Sequence, residues 1–309
     1  MNFAPVALFT YKRVDSLKKV IESLKLNPEA ISSDLYIFSD APKTTGDEKG
    51  VSEVRNYLNS ISGFNSVQII RQSENKGLSG SIIAGVSELL SVHKKLIILE
   101  DDIFTSPHFL NFMNSGLKKY ENTGNVASIH GYVYPVTKPL QETFFLKGAD
   151  CWGWATWERA WQNFNPSAIE IDKQLQKAKL YSELDFGGVA NYQRMIKRQI
   201  SGEIDSWAVR WHASTFINNM LTLYPGKSLV QNIGADGEGT HVNKTDKFFV
   251  NLSRFPVQIK DIPISPSLKG FLAFQDYFIR TSHPALKVIR TLKARSFNSS
   301  LQGLKYSDY

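Results

Sequence analysis

The stretch that decides the fold is KKLIILEDDIFT, residues 94–105. The apolar run 96–99 leads directly into three carboxylates, Glu100, Asp101 and Asp102. An unbroken apolar run of this kind predicts a strand that is buried on both faces. The acidic triplet then stands at the carboxyl end of that strand, although a solvated acidic loop is the alternative interpretation of the triplet alone.

The same unit, an apolar run followed by a helical pattern, recurs through the first half of the chain. The strand candidates are residues 5–10, 34–40, 66–72, 96–100 and 126–132. The helix candidates that follow the first four begin near Val14, Val51, Leu78 and Pro107. Strands that alternate with helices predict the α/β class, with a mainly parallel central sheet flanked by helices on both faces.

The composition is that of an ordinary soluble globular protein. The chain has 309 residues, of which 42% are apolar and 21% are charged. Its single cysteine, Cys151, excludes an intramolecular disulfide and fits a reducing compartment. The sequence has no signal-peptide pattern at its start and no apolar stretch of membrane-spanning length. We therefore expect a cytoplasmic protein.

The net charge of +7 is concentrated near the C-terminus. From Lys269 onward there are seven Lys or Arg residues and two Asp residues, a net charge of +5. After Pro284, apolar residues recur at helical spacing beside a basic stripe: Leu286, Ile289 and Leu292, with Lys287, Arg290, Lys293 and Arg295. This pattern predicts a basic amphipathic helix, which either lies on an anionic membrane surface or packs on the preceding domain. A nucleic-acid role fits less well, because no recognised binding motif accompanies the basic residues.

Polar residues follow each predicted strand and should meet at one edge of the sheet. They are Thr10, Arg13, Asp40, Arg71, Asn75 and the triplet 100–102. In open α/β sheets, ligands bind outside the carboxyl ends of the strands. Adjacent carboxylates raise one another's pKa unless a positive charge lies beside them. Mn²⁺ or Mg²⁺ bridging the carboxylates to substrate phosphates removes this repulsion. The chain has no P-loop and no dinucleotide fingerprint, so side chains and a metal ion would hold the phosphate compound.

Several segments together resemble one enzyme family. LIILEDDIFTSPHFLNFM, residues 96–113, resembles the segment of the N-acetylglucosaminyltransferase I-like GT-A glycosyltransferases in which E-D-D plays the D-x-D role. PVALFTYKR, IFSDAP, NKGLSGSIIAGV, FFLKGADCWGWATWERAW and GEIDSWAVRW are similar to further segments of that family and of family-2-type transferases. The resemblance covers roughly residues 3–245. It implies a GT-A fold, with a Rossmann-like nucleotide-binding sheet.

The resemblance also implies an activity. It implies metal-dependent transfer of a hexosyl or N-acetylhexosaminyl group from a nucleotide-sugar, a UDP-sugar, to a glycan or lipid-linked glycan hydroxyl in surface polysaccharide synthesis. We divide the chain into a GT-A domain, residues 1–262, and a basic helical extension, residues 263–309. The donor half of the domain is about 1–125 and the acceptor half about 126–262. A lipid-linked acceptor would place the enzyme peripherally on the inner face of the membrane.

The resemblance assigns a role to most residues of this edge. It implies that Asp102 is the direct metal ligand, that Asp101 approaches the ribose or donor sugar, and that Glu100 contacts the hydroxyls of the donor sugar. It implies that Asp40 accepts from the uracil N–H and that Arg13 lies beside the nucleotide. The predicted donor-binding set is Thr10, Arg13, Asp40, Asn75, Glu100 and Asp101.

The acceptor side rests on Asp205 and two tryptophans. Asp205 matches the family's general base and implies a single displacement with inversion; its alternative interpretation is a helix N-cap. The second carboxylate that often follows this base is replaced by Ser206. All six tryptophans lie between residues 152 and 211. We expect Trp154 to contact the acceptor, with Trp207 as a lesser candidate, because indole rings pack well on sugar faces.

The glycine-rich segment 232–246 predicts a lid over the donor. His241 within it is a candidate second metal ligand or diphosphate contact, or else an exposed loop residue. Two alternatives for the whole protein stay open. One is a retaining GT-A transferase, in which Asp205 would not be a base. The other is a non-catalytic carbohydrate-binding protein on a degenerate GT-A fold.

Overall fold

The computed structural model of the protein describes residues 3–234, 246–299 and 306–307, with strands and helices that alternate through the first half. The strands are β1 Val6–Thr10, β2 Asp34–Ser39, β3 Ser66–Arg71, β4 Lys95–Glu100, β5 Ile103–Thr105, β6 Val126–His130, β7 Thr143–Lys147, β8 Trp154–Trp157, β9 Leu221–Pro225 and β10 Val230–Asn232. The helices are α1 Val14–Lys25, α2 Glu48–Leu58, α3 Gly77–His93, α4 Phe109–Lys119, α5 Glu158–Trp161, α6 Ala168–Lys177, α7 Tyr181–Leu184, α8 Tyr192–Ile200, α9 Trp207–Ile217, α10 Leu268–Arg280 and α11 Pro284–Asn298.

Eight of these strands form one central sheet in the order β3-β2-β1-β4-β8-β6-β9-β7. The pairs within β3-β2-β1-β4 are all parallel, whereas β8 runs antiparallel to both of its neighbours. The chain builds outward from β1 to β3 and then returns to place β4 on the other side of β1. This reversal makes the carboxyl ends of β1 and β4 a topological switch point, where ligands bind in α/β sheets.

The run 96–99 is apolar without a break because β4 is covered on both faces. Ile97 and Leu99 belong to a hydrophobic cluster that includes residues of α1 and α4. Leu96 and Ile98 belong to a second cluster, on the opposite face, that includes residues of α3. Alternate residues of a strand point to opposite faces. The predicted α/β class, with a mainly parallel sheet flanked by helices, is therefore confirmed.

The C-terminal helices pack on the far end of the sheet. Phe271 and Phe274 of α10 belong to a cluster with Phe144 and Tyr224 of strands β7 and β9. The part of the chain after residue 263 thus begins as a component of the core. The predicted basic helix is present as α11, whose N-terminus is capped by the side chain of His283. Among the described residues, no helix combines the length and apolar character needed to cross a bilayer.

Candidate functional site

The loops that leave β1 and β4 are joined by the side chain of Asp101. One carboxylate oxygen accepts from the Thr10 hydroxyl at 2.9 Å and from the Tyr11 backbone N–H at 3.1 Å. The other accepts from Arg13 Nη2 at 2.6 Å. Asp101 is almost completely buried. Its oxygens are therefore occupied by the chain's own donors, and Asp101 and Thr10 hold the switch-point loops in register.

Asp102 is only partly satisfied. Its Oδ2 accepts from Arg13 Nη2 at 3.0 Å, while its Oδ1 is buried without a hydrogen-bond partner among the described residues. The same is true of Arg13 Nη1. An unpaired acceptor and an unpaired donor thus lie side by side at the switch point. Buried polar groups normally have partners, so this pair is suited to a ligand that supplies both a cation and an anion.

A separate two-stranded sheet, formed by β5 and β10, closes against Asp102. Strand β10 pairs antiparallel with β5, and the Ile233 N–H donates to the Asp102 carbonyl oxygen at 2.8 Å. A β-carbon added at Gly234 would overlap Asp102 Oδ2 and would lie 2.8 Å from Arg13 Nη1. Gly234 is the first glycine of the segment 232–246, whose composition predicted a lid but not a contact with Asp102.

The acidic triplet carries more negative charge than Arg13 neutralises. Burial raises the pKa of Glu100 well above its ordinary value, and the charges of Asp102 and Asp101 raise it further. Burial and the charge of Asp101 likewise raise the pKa of Asp102, against the opposing effect of Arg13. Burial alone would lower the pKa of Arg13, but the charges of Asp101 and Asp102 outweigh it and the pKa rises.

These features fit a divalent cation. The unpaired Asp102 oxygen and the excess negative charge are the environment that a hard cation with oxygen ligands stabilises. Within the described ranges, no group of three or more His, Cys, Asp or Glu side chains could hold a metal ion by itself. A cation here would depend on substrate phosphates for further ligands, as Mg²⁺ commonly does. His241 and most of the predicted lid lie outside the described residues.

Asp40 lies on the other side of β1 at the same edge. The Asp40 N–H donates to the Thr10 carbonyl, while the Asp101 N–H donates to the Phe9 carbonyl. The two residues therefore lie about two strand spacings apart, roughly 10 Å. The Asp40 Oδ1 accepts from the backbone N–H groups of Ala41 and Lys76, each at 2.9 Å.

Asn75 supports the same corner of the edge. Its amide donates to the Ala41 carbonyl oxygen at 2.6 Å. Together, the bonds of Asp40 and Asn75 join the loop after β2 to the start of α3. The predicted donor-binding residues thus line one continuous edge, although several of them bond to the chain itself.

Asp205 precedes α9 and is linked to the same edge by Arg210, which joins it to the first turn of α3. Arg210 of α9 donates from Nη2 to Asp205 Oδ1 at 2.9 Å and to the hydroxyl of Ser79, in the first turn of α3, at 2.6 Å. The Asp205 side chain is 68% exposed. The N-cap of α9 is Ser206, whose hydroxyl accepts from the Val209 N–H. Asp205 is therefore free of the capping role that the sequence left open.

The two tryptophans expected to contact an acceptor are core residues. Trp154 is 1% exposed and Trp207 is 3% exposed, and their rings stack with centroids 5.4 Å apart. They pack with Trp161 and Trp211 between α3, α9 and the sheet. Neither ring is available to a sugar in this structure, because β8 lies in the middle of the sheet with both faces covered. Trp152 is the half-exposed member of the group.

Comparison with known proteins gives weak matches to solved structures alone. No protein-family model and no curated protein matches the chain. One matching structure is S. aureus TarS 1-349, with 10% identity, a TM-score of 0.42, and coverage of 100% of this chain and 76% of that chain. A second is the mannosyltransferase PcManGT from Pyrobaculum calidifontis in complex with GDP-Man and Mn²⁺, with 12% identity, a TM-score of 0.32, and coverage of 43% and 36%.

A third is a UDP-glucose pyrophosphorylase complexed with UDP-glucose, with 15% identity, a TM-score of 0.33, and coverage of 53% of this chain and 81% of that chain. At these identities and TM-scores, the similarities do not assign the chain to a family. The function is therefore inferred from the residues of the edge itself.

Proposed function

We propose that the protein is a metal-dependent GT-A glycosyltransferase that moves a sugar from a nucleotide-sugar to a hydroxyl of a glycan or lipid-linked glycan. The donor is a UDP-sugar, the group moved is a hexosyl or N-acetylhexosaminyl unit, and the process is surface polysaccharide synthesis. The observation that carries the proposal is the unpaired Asp102 oxygen beside the unpaired Arg13 donor at the switch point. A carboxylate and a guanidinium side by side suit a metal–diphosphate pair.

The donor would lie along the edge, with its base near Asp40 and its diphosphate near Asp102 and Arg13. The separation of roughly 10 Å between the Asp40 and Asp101 backbones suits a nucleotide laid across the end of β1. Asp102 would hold Mn²⁺ or Mg²⁺, which when bound would neutralise the charge of the departing diphosphate. His241 is the proposed second metal ligand. Arg13 would donate from Nη1 to a phosphate oxygen, and Glu100 would accept from hydroxyls of the donor sugar.

Asp205 is the proposed general base. Its carboxylate is exposed and Arg210 orients it, so it could accept the proton of an acceptor hydroxyl as the hydroxyl oxygen attacks the anomeric carbon. A single displacement of this kind inverts the anomeric configuration. Product configuration therefore separates this mechanism from a retaining one, and a protein that only binds carbohydrate would give no product.

The proposal is tested by a screen of nucleotide-sugars. UDP-, GDP-, CMP- and dTDP-sugars would each be incubated with the protein in Mn²⁺, in Mg²⁺ and in excess EDTA. We expect hydrolysis of at least one UDP-sugar with either metal and none in EDTA. Full activity in EDTA would contradict the metal role, and hydrolysis of none of the donors would contradict the transferase assignment.

We also propose that α11 attaches the protein to an anionic membrane surface. Four of its apolar side chains are exposed: Leu286, Val288, Ile289 and Leu292. The helix is held to the domain elsewhere, through buried Ala294 and through Arg290, which donates to the Asn191 side chain at 3.0 Å. One face thus packs on the domain while an apolar stripe with neighbouring cations faces solvent, which is the pattern of an interfacial helix.

A further inference from the structure

A second cavity, with a volume of about 670 Å³, lies between the sheet, α8 and α9. Its walls combine aromatic rings with titratable groups, among them His130, Asp150, Trp152, Tyr192 and His212. Ligand sites in proteins have this size and this mixture of apolar walls and a few polar groups. None of these residues was singled out from the sequence, because they come from distant parts of the chain.

Four buried ring nitrogens of this cavity have no hydrogen-bond partner among the described residues. They are the two nitrogens of His130 and the two of His212, and the Ala149 backbone lies close enough to the His212 ring to raise its pKa against the effect of burial. The nearest carboxylate is Asp150, whose Oδ1 lies 3.6 Å from His212 Nδ1, beyond hydrogen-bond length. Buried polar atoms normally have partners, so unpaired nitrogens on two histidines in one cavity indicate that a polar ligand belongs there.

The backbone is built to bring His212 into this position. Gly148 has φ +84°, and a β-carbon on it would approach the His212 ring to 2.5 Å. The other side of the ring is covered by Tyr192, stacked in parallel with centroids 4.2 Å apart. His212 is therefore clamped between a required glycine and an aromatic ring. Positive φ favours glycine, so this arrangement tolerates few substitutions.

The polar groups of the cavity can both donate and accept. Burial lowers the pKa of His130 to about 4 and also lowers the pKa of His212, so both rings are neutral near pH 7. A neutral imidazole has one donor and one acceptor nitrogen. Asp150 accepts from the Tyr224 hydroxyl at 3.0 Å and from the Tyr192 hydroxyl at 3.3 Å, which leaves lone pairs for a ligand.

The cavity adjoins the acidic edge. Strands β4 and β8 pair antiparallel, so the chain before β8 runs alongside the chain after β4. The Cys151 thiol, which lines the cavity, has a pKa raised by burial and then by the charges of Glu100, Asp150 and Asp102. Cys151 is therefore near carboxylates of the cavity and of the acidic edge. A ligand in the cavity would therefore be close to the proposed metal and donor sugar.

We propose that this cavity binds the sugar acceptor through a polyhydroxylated ring. Asp150 and the two histidines exchange hydrogen bonds with ring hydroxyls, and the half-exposed Trp152 packs on a C–H face of the ring. Arg194, Arg198 and Lys247 also line the cavity, so its wall offers charged donors as well as the carboxylate and the imidazoles. The role of the bound sugar as the acceptor rests on the proposed function, whereas the binding of a neutral sugar is independent of it.

Saturation-transfer NMR on the full chain tests this proposal. The probes are the methyl glycosides of glucose, galactose, N-acetylglucosamine and N-acetylgalactosamine. Spectra would be recorded with and without UDP and Mn²⁺. We expect signal transfer to at least one neutral glycoside. Transfer to none of the neutral glycosides would overturn the proposal.

Two variants locate the binding. Asp150→Asn should weaken binding of the neutral glycoside about tenfold or more, because a charged acceptor of hydrogen bonds is lost. The matched control is Asp172→Asn, which changes a buried carboxylate that is bonded to Gln176 and Lys197 and does not line the cavity. It should leave glycoside affinity unchanged. Trp152→Ala, at a half-exposed position, is the second variant and should also weaken binding. Unchanged affinity in both cavity variants would overturn the proposal.

The outcome can be separated from that of the proposed transferase activity. Donor hydrolysis is measured on the wild-type protein in Mn²⁺ without any glycoside, and glycoside binding is measured by NMR without any nucleotide-sugar. Hydrolysis without any glycoside binding would remove the cavity proposal and leave the transferase proposal intact. Glycoside binding without hydrolysis of any donor would support the cavity and remove the transferase.

Discussion

His130 should make the protein strongly acid-sensitive. Its pKa is lowered from 6.5 to about 4 by burial, with the neighbouring charge on His212 acting in the same direction and Asp150 opposing. A depressed histidine pKa means that the unfolded chain binds the proton more tightly than the folded chain. The stabilising contribution is therefore fully present above pH 6.5 and is lost as the pH falls toward 4. At 1.36 kcal/mol for each pKa unit, the complete loss in the free energy of unfolding is about 3 kcal/mol, of which about 2.5 kcal/mol is lost by pH 4.5.

The assay is urea unfolding of wild-type protein and of His130→Asn at pH 7.5 and pH 4.5. Other groups titrate over this range, so the informative quantity is the difference between the two proteins. We expect the wild type to lose about 2.5 kcal/mol more than the variant on acidification. The matched control is His283→Asn, at an exposed helix cap where Asn is also a good capping residue. It should follow the wild type. Equal acid sensitivity in wild type and His130→Asn would refute the reasoning.

Three further perturbations test the edge and the tail. Gly234→Ala should weaken binding of nucleoside diphosphate and Mn²⁺ about tenfold, because the added methyl group would displace Asp102. The control Gly124→Ala, at a position with open space around it, should leave that binding unchanged. Equal weakening in both variants would contradict this prediction. Asp205→Asn should lower kcat by on the order of 10²–10⁴-fold with donor affinity little changed, and near-normal turnover would remove it as the base. The protein should sediment with anionic vesicles at low salt and dissociate as salt rises, at about 1 kcal/mol for each cation near the surface. Ile289→Ser should weaken that sedimentation. If the wild-type protein does not sediment with the vesicles at low salt, α11 packs on its own domain and does not attach the protein to a membrane.

The parallel half of the sheet was predictable because its central strands, β1 and β4, are buried on both faces. Residues 96–99 pack alternately into two clusters, and the bounds of the first five predicted strands agree with β1, β2, β3, β4 and β6 to within two residues. Pro107 was less informative. It lies in a turn, and α4 begins two residues later at Phe109, because the Ser106 hydroxyl and carbonyl accept the first N–H groups.

The acceptor half was not predictable to the same degree. Whether Trp154 faces solvent depends on which strands flank β8, and the insertion of β8 between β4 and β6 is a long-range choice that no local pattern reveals. The same holds for Asp150, His130 and His212, which share one cavity although they are up to 82 residues apart in the chain. At the acidic edge, the sequence predicted the charges correctly but not that Arg13 would bind two of them.

The central claim is that the acidic edge binds a nucleoside diphosphate through a metal ion at Asp102. Isothermal titration calorimetry of UDP, GDP, CDP and dTDP in Mn²⁺ and in EDTA tests it most directly, with wild-type protein and Asp102→Asn. We predict that UDP binds in Mn²⁺, that its affinity falls at least tenfold in EDTA, and that Asp102→Asn with an unchanged circular dichroism spectrum loses the metal-dependent part. Equal affinity for UDP with and without metal, or an Asp102→Asn protein that binds it as the wild type does, would contradict the claim.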